Sequence, residues 1–249
     1  MPTLSLITAT FNAGATLADC LSSVAGQTAE VEHVVVDGVS SDNTLEVARE
    51  FDQHISLLIS EKDRGLYDAM NKGIAAATGD VIGILNADDF YPDDQVLARV
   101  AQAFEDPEVQ LSYGDLRYVE ADDVSKTLRT WRAGECGPRS FYWGWMPPHP
   151  TVFVRRSVYE EFGVFDLEQG SAADYELMLR FMLKHGVQAQ YIPHFMVHMR
   201  AGGVSNASWG NRWRANRKDR EAWRRNDLTP YPWTIAAKPA RKIVQWLVR

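Results

Sequence analysis

Short aliphatic runs alternate with amphipathic stretches from Leu4 to Leu85. Leu4 to Thr8 is a compact apolar run ending at Ala9-Thr10-Phe11-Asn12-Ala13-Gly14. Leu17, Leu21 and Val24 then recur on one helical face, which predicts strand, loop and helix. His33 to Val36 predicts a second strand, closed by Asp37-Gly38-Val39-Ser40-Ser41-Asp42-Asn43-Thr44. Asp42 is placed to cap a helix that carries Leu45, Val47, Ala48 and Phe51. A third strand, Ile55 to Ile59, precedes Ser60 to Gly65, a helix from Tyr67 to Ala77, and a stop at Thr78-Gly79-Asp80. Val81 to Leu85 is too short for a helix and runs as a fourth strand into Asn86-Ala87-Asp88-Asp89. This alternation predicts an α/β fold with a mostly parallel sheet covered on both faces.

Beyond Phe90 the alternation loosens. The pattern predicts helices over Asp94 to Phe104, Arg156 to Phe162 and Asp174 to His185. It predicts strands over Gln110 to Tyr118, Lys126 to Arg132 (antiparallel, at an edge), Thr151 to Val154, Gln188 to Ile192 and Met196 to Met199. Gly134 to Pro150 has no clear period and reads as a loop, with Phe141, Tyr142, Trp143 and Trp145 inside it. Gly202-Gly203 ends the compact body.

Two adjacent carboxylates at the mouth of the fourth strand are the first candidate chemistry. Ligands of open α/β sheets sit beyond the carboxyl ends of the strands, and a hard divalent cation carrying a phosphate suits one or two carboxylates there. A simple Asn/Asp turn ahead of Pro92 is the alternative. With 249 residues, 17 Gly, 11 Pro and no repeat, the chain reads as soluble and globular. No basic leader and no apolar run of membrane-spanning length stands out. Cys20 and Cys136 are too few and too far apart for a zinc motif, and read as reduced thiols of a cytoplasmic protein.

The ordered motifs together resemble the family 2 glycosyltransferases, inverting enzymes of the GT-A fold that use nucleotide-activated sugars. The matching residues are Thr8-Ala9-Thr10-Phe11-Asn12, then Val35-Val36-Asp37-Gly38 with Ser40, Asp42 and Thr44. Glu61 to Gly73, with Asp63, Arg64, Gly65, Tyr67, Asp68 and Asn71, leads to Asn86-Ala87-Asp88-Asp89 in place of the family's DXD-type metal motif. Ala173-Asp174-Tyr175-Glu176-Leu177 with Leu179-Arg180 resembles the catalytic-base helix. The resemblance spans roughly residues 3 to 205 and implies a set of roles. Thr8, Thr10, Phe11 and Asp37 would hold the nucleotide, with Asp37 accepting from a base N–H. Arg64 would reach a phosphate or stay solvated. Asp68 would touch the donor sugar, and Asn71 would order the sugar pocket. Asn86, Ala87 and Asp88 would line the diphosphate site. His149 would lie near the diphosphate or acceptor, and Arg200 would hold diphosphate.

The metal, Mn²⁺ or Mg²⁺, would fall to Asp88, with Asp89 and His198 in support. Asn86 departs from the usual first Asp of the motif and brings no charge. His194 reads as a satisfied structural histidine. Asp174, at a helix start where the dipole favours negative charge, is the expected base for the attacking hydroxyl, with plain N-capping as the alternative. The donor would be a UDP sugar, with GDP and dTDP as alternatives. A nucleotidyltransferase would need a basic Gly-rich loop after the first strand, which Ala9 to Gly14 lacks, and a non-catalytic binding scaffold would not need Asp174.

Charge divides the chain into a body over 1–205 and a tail over 206–249. The tail holds eleven Lys/Arg against three Asp/Glu, while the body holds 15 against 30. Five of the eight tryptophans, Trp209, Trp213, Trp223, Trp233 and Trp246, fall in the tail among arginines. After Pro239, Ala240, Ile243, Val244, Leu247 and Val248 share one helical face. Trp beside Arg suits a membrane interface, so the tail reads as a peripheral anchor on the inner face of the cytoplasmic membrane. Packing on its own domain or on a second subunit is the alternative. A membrane tail suggests a glycan acceptor on a polyprenyl diphosphate, with the aromatic loop from Phe141 to Trp145 stacking on its sugar, and the acidic body argues against nucleic acid.

Overall fold

A computed structural model describes residues 1–137, 139–202 and 209–247, and the side chains of 209–216 and 242–247 lie outside that description. Strand β1 (Leu4–Thr10) is buried along its whole length, as a central parallel strand must be. It lies between β2 (Glu32–Asp37) and β4 (Val81–Ile84), both parallel to it, and β3 (Leu57–Ser60) extends the parallel set beyond β2. Thr10 stands opposite Asp37, and Asp37 opposite Ser60. The carboxyl ends of three strands are therefore level.

Helices α1 (Leu17–Ala25), α2 (Thr44–Glu50) and α3 (Leu66–Ala76) make the crossovers. Helix α3 approaches β1 closely because Gly73 has no Cβ; one there would collide with the Ile7 side chain. The N-cap of α2 is Asn43 rather than the expected Asp42, which stands one residue earlier and accepts from the amide of Thr44 at 3.0 Å.

The second half is mixed. After β5 (Asp89–Phe90) and α4 (Val96–Ala103) come β6 (Leu111–Val119), β7 (Thr127–Trp131), β8 (Phe153–Arg155), α5 (Arg156–Phe162), α6 (Ala173–Met178) and β9 (Ala189–Arg200). The sheet order is β3-β2-β1-β4-β8-β6-β9-β5, with β7 on β6. The expected antiparallel edge strand is β7. The two expected closing strands are one strand: Gly114 faces Ile192 and Asp115 faces Phe195, so Pro193 and His194 bulge out of the ladder. Proline has no amide to offer it. The expected long helix begins as α6 and widens into a π-helix at Leu179–Lys184.

Helices α7 (Trp209–Arg225) and α8 (Thr234–Leu247) follow. Helix α8 begins before Pro239 rather than after it, and carries the proline inside at the cost of one amide bond and a steric conflict with the carbonyl four residues back. Ala222, Trp223 and Ile235 are buried in the same core cluster as Tyr175, Leu177 and Phe181. The change in composition at 205/206 is thus no break in packing. The expected apolar face of Ile243, Val244, Leu247 and Val248 lies outside the described side chains, as do Trp209, Trp213 and Trp246.

Thr8, expected at the donor site, is instead enclosed in the core. Its hydroxyl lies 3.0 Å from Nε2 of His33 and 3.9 Å from Sγ of Cys20. Enclosure favours the neutral imidazole and lowers the His33 pKa from 6.5 to about 4. The unfolded chain therefore takes up this proton first. Stability from His33 is complete above pH 6.5 and is lost as pH falls toward 4, on the order of 3 kcal/mol in all. Urea unfolding of wild type and His33→Gln across this range should show a steeper acid slope in the wild type. Parallel slopes would refute the assignment.

Candidate functional site

The level strand ends place Thr10, Asp37 and Ser60 along one edge, but their side chains differ in availability. Asp37 is fully buried, and its carboxylate accepts from the amides of Val39 at 3.0 Å and Ser40 at 3.2 Å and from the Ser60 hydroxyl at 2.7 Å. It shapes the 38–41 turn, in which Val39 has φ 64°, and is not free to meet a base directly. Phe11 is 63% exposed, and the Thr10 hydroxyl is buried without a partner. A Cβ on Gly38 would collide with Oδ2 of Asp63 and lie 3.3 Å from the Phe11 ring. Gly38, Phe11 and Asp63 therefore lie directly against one another. Asp63 Oδ1 takes the Gly65 amide at 2.8 Å. Its place beside Gly38 was not expected; the signal available was its position two residues before Gly65 in the strand 3 loop.

On α3 the expected donor contacts are engaged in folding. Asp68 receives the amide of Arg64 at 3.0 Å and its guanidinium at 2.9 Å, and this pairing holds its carboxyl below the usual range. The Arg64 side chain is itself 78% exposed. Asn71 donates to the carbonyl of Phe165 at 2.9 Å and accepts from its amide at 3.0 Å. It clamps a distant loop onto α3 instead of lining a sugar pocket.

The acidic loop after β4 separates its two carboxylates. Asp89 is fully buried, and the Asn86 amide donates to it at 2.9 Å. Burial, reinforced by the charge of Asp88, pushes its carboxyl well above the usual carboxylate range. With one oxygen taken by Asn86, Asp89 has only Oδ1 left to offer an ion, which makes it less available than the expectation of a supporting ligand held. Asp89 pairs with Met199 and Phe90 with His198, so alternation sends Asp89 and His198 to opposite faces. The His198 ring meets Phe90 edge-on at 5.4 Å; it is not a partner for that loop. His194, in the bulge, lies 2.8 Å from Asp93 as a satisfied surface histidine.

Arg200 is buried, donates to the Asp88 carbonyl at 3.0 Å and pairs with Asp19. It braces the loop from behind rather than reaching for diphosphate. Ala87 is buried against Leu17, Leu21 and Val35. Asp88 is left half-buried, with no side-chain hydrogen bond among the described residues. No three His, Cys, Asp or Glu among the described residues converge as a ready metal cage. One free carboxylate flanked by the unpartnered Oδ1 atoms of Asn86 and Asp89 fits an ion that completes its shell with phosphate and water.

Asp174 is half-buried in the first turn of α6, with Oδ1 accepting the Tyr175 amide at 2.7 Å. Around it stand His149, whose pKa burial lowers and nearby Asp174 partly restores, and Tyr67, whose phenol burial and the same carboxylate push upward. Phe165 packs against both, 5.5 Å from His149 and 5.2 Å from Tyr67. Tyr118, whose pKa burial raises, lies within electrostatic reach of both Asp89 and Asp174.

Three tail side chains support α6 from behind, and sequence reading had missed them. Trp223 donates to the Tyr175 hydroxyl at 2.9 Å, Lys238 sits 3.6 Å over the Tyr175 ring, and Asn226 donates to Glu176 at 3.1 Å.

A family model described as glycosyl transferase family 2 matches residues 5–163. Over 219 residues the chain is 32% identical to the PGL/p-HBAD biosynthesis glycosyltransferase of Mycobacterium tuberculosis, covering 82% of this chain and 80% of that one. Among solved structures, S. aureus TarS 1-349 in complex with UDP-GlcNAc matches with a TM-score of 0.73 at 17% identity, covering 98% and 71% of the two chains. The mannosyltransferase PcManGT from Pyrobaculum calidifontis, in complex with GDP-Man and Mn²⁺, matches at 0.64 and 20% identity, covering 100% and 76%. These likenesses establish the fold as GT-A.

Replacing Asn71 by Leu, of similar volume, strands the amide and carbonyl of Phe165. The expected loss is about 2–5 kcal/mol, read as a lower urea midpoint together with faster hydrogen exchange at the Phe165 amide. Unchanged exchange would show that the clamp does not hold the loop.

Proposed function

Because the chain belongs to glycosyl transferase family 2, we propose that it moves a sugar, with inversion, from a nucleotide diphosphate sugar to a hydroxyl of a glycan acceptor. It is a glycosyltransferase of GT-A fold; direction, donor and acceptor are the proposal. The observation that carries it is the Asp174 carboxylate at the α6 start, with one oxygen held by the Tyr175 amide and the other without a hydrogen bond among the described residues. Asp174 takes the proton of the acceptor hydroxyl as that oxygen bonds to the anomeric carbon. The bond to the diphosphate breaks on the opposite face, which inverts the configuration. His149, packed edge-on against Phe165, would wall the acceptor side with it.

The nucleotide would lie along the strand edge, with its base against Phe11 and Gly38 and within reach of Asp63 and the unpartnered Thr10 hydroxyl. UDP is the first choice, with GDP and dTDP as alternatives; one neighbour is in complex with UDP-GlcNAc and another with GDP-Man and Mn²⁺. A divalent ion, Mn²⁺ or Mg²⁺, would be held by Asp88 and would offset the charge that grows on the leaving diphosphate. The acceptor would be lipid-linked, on a polyprenyl diphosphate or a similar carrier. The basic, Trp-bearing tail supports that reading, with the protein peripheral on a membrane. No helix among the described residues is long and apolar enough to cross one.

The test is a panel of nucleotide sugars assayed for binding, hydrolysis and transfer with Mn²⁺ and with chelator. Asp174→Asn should lower kcat by roughly a hundredfold or more while nucleotide affinity is kept. Turnover retained by that variant would overturn its role as base. Asp88→Asn should abolish the difference between Mn²⁺ and chelator.

A further inference from the structure

Away from the strand edge lies an open cleft of about 490 Å³, lined by Gly137, Arg139, Ser140, Trp143 and Arg241. It is formed jointly by the 3₁₀ turn Phe141–Trp143 and helix α8. The two are packed backbone to backbone: Gly144 has φ 73°, and a Cβ there would collide with the main chain at Lys238. Within the turn Phe141 is buried and meets Trp145 edge-on at 5.2 Å, while the Trp145 indole donates to the Ala133 carbonyl at 2.8 Å. This corrects the reading of the whole aromatic stretch as a sugar platform. Only Trp143 turns fully outward.

Trp143 is 54% exposed, and Trp233, at the approach to α8, is 46% exposed. Their rings lie 5.6 Å apart at an interplanar angle of 35°, and Tyr231 adjoins Trp233 at 5.0 Å. Two indoles held side by side in water, from elements far apart in sequence, form an apolar patch of the kind that marks a binding surface. Among the described residues the charged groups lining the cleft are two guanidiniums, with no carboxylate. Indoles at headgroup depth with arginines on phosphate are the signature of a peripheral contact with anionic lipid.

We propose that this composite face docks on an anionic lipid surface, with Trp143 and Trp233 at headgroup depth and Arg139 and Arg241 on lipid phosphates. It deepens the transferase reading, on which it rests for its purpose, by naming the face that a lipid-linked acceptor would meet. It also alters the expected anchor, because half of the surface belongs to the body rather than to the tail.

The test is co-sedimentation of the full chain with vesicles of phosphatidylcholine alone and of phosphatidylcholine mixed with phosphatidylglycerol. Wild type should follow the mixed vesicles, and added salt should weaken the association. Arg139→Gln with Arg241→Gln should lower partition roughly thirtyfold, at about 1 kcal/mol for each basic residue near an anionic surface. Trp143→Ser with Trp233→Ser should lower it as well, with unchanged far-UV circular dichroism. Equal partition into the two vesicle types, or partition unaltered in both double variants, would overturn the proposal. Nucleotide-sugar binding measured without vesicles separates the two readings. If it is absent while vesicle binding persists, only the transferase reading falls; the converse result sinks only the docking.

Discussion

Parallel pairing of β1, β2 and β3 forces three strands to end at one level, and every turn that leaves this edge must be built from short polar residues. Backbone amides in such turns need acceptors, and the acidic side chains supply them. Asp37 closes the turn after β2, Asp42 starts α2, Asp63 and Asp68 fix the entry to α3, and Asp89 locks onto Asn86. Hydrogen bonds to a carboxylate are stronger than those between neutral groups, so this use of acidic side chains is costly to undo. What remains for chemistry is small. Asp88 has a carboxylate without a hydrogen bond among the described residues, and Asp174 has one oxygen to spare.

The second constraint acts on α6 from the rear. A base must hold its position to a fraction of an ångström, yet Asp174 stands in a helix of only six residues. Helix α7 and the start of α8 provide the wall. Trp223 is wholly buried against Tyr175, and Lys238 lies over the Tyr175 ring while paired with Asp219 at 3.0 Å. Glu176 is enclosed between Arg180 and Asn226. The segment whose composition suggested a separate anchor is, in its described part, the buttress of the proposed catalytic helix.

Much of the scaffold could be read from the chain alone, because periodicity reports burial directly. The limits of α5 and the antiparallel edge strand β7 followed from pattern. The two-residue β5 and the bulge at Pro193 and His194 did not, since neither leaves a period. Site residues divided along a different line. Motif order placed Asp37, Asp68, Asn71 and Asp89 near the edge, but it cannot tell whether a side chain turns toward solvent or back into its own loop. Each of the four turned back. Trp223 reads as an interface residue because a charged segment hides one buried stripe; Asp219, Ala222, Trp223 and Asn226, spaced by three and four, are its trace.

The clamp between Asn71 and Phe165 joins positions 94 residues apart, and this bears on the order in which the molecule is assembled. Contacts so distant in sequence form late, after local helices and neighbouring strands have settled. The parallel strands up to β4 need nothing beyond residue 85 for their own pairing, whereas α6 waits for Phe165 to dock and for Trp223 and Lys238 to arrive behind it. During synthesis the nascent chain therefore completes its parallel edge well before the helix that carries Asp174 gains its rear wall.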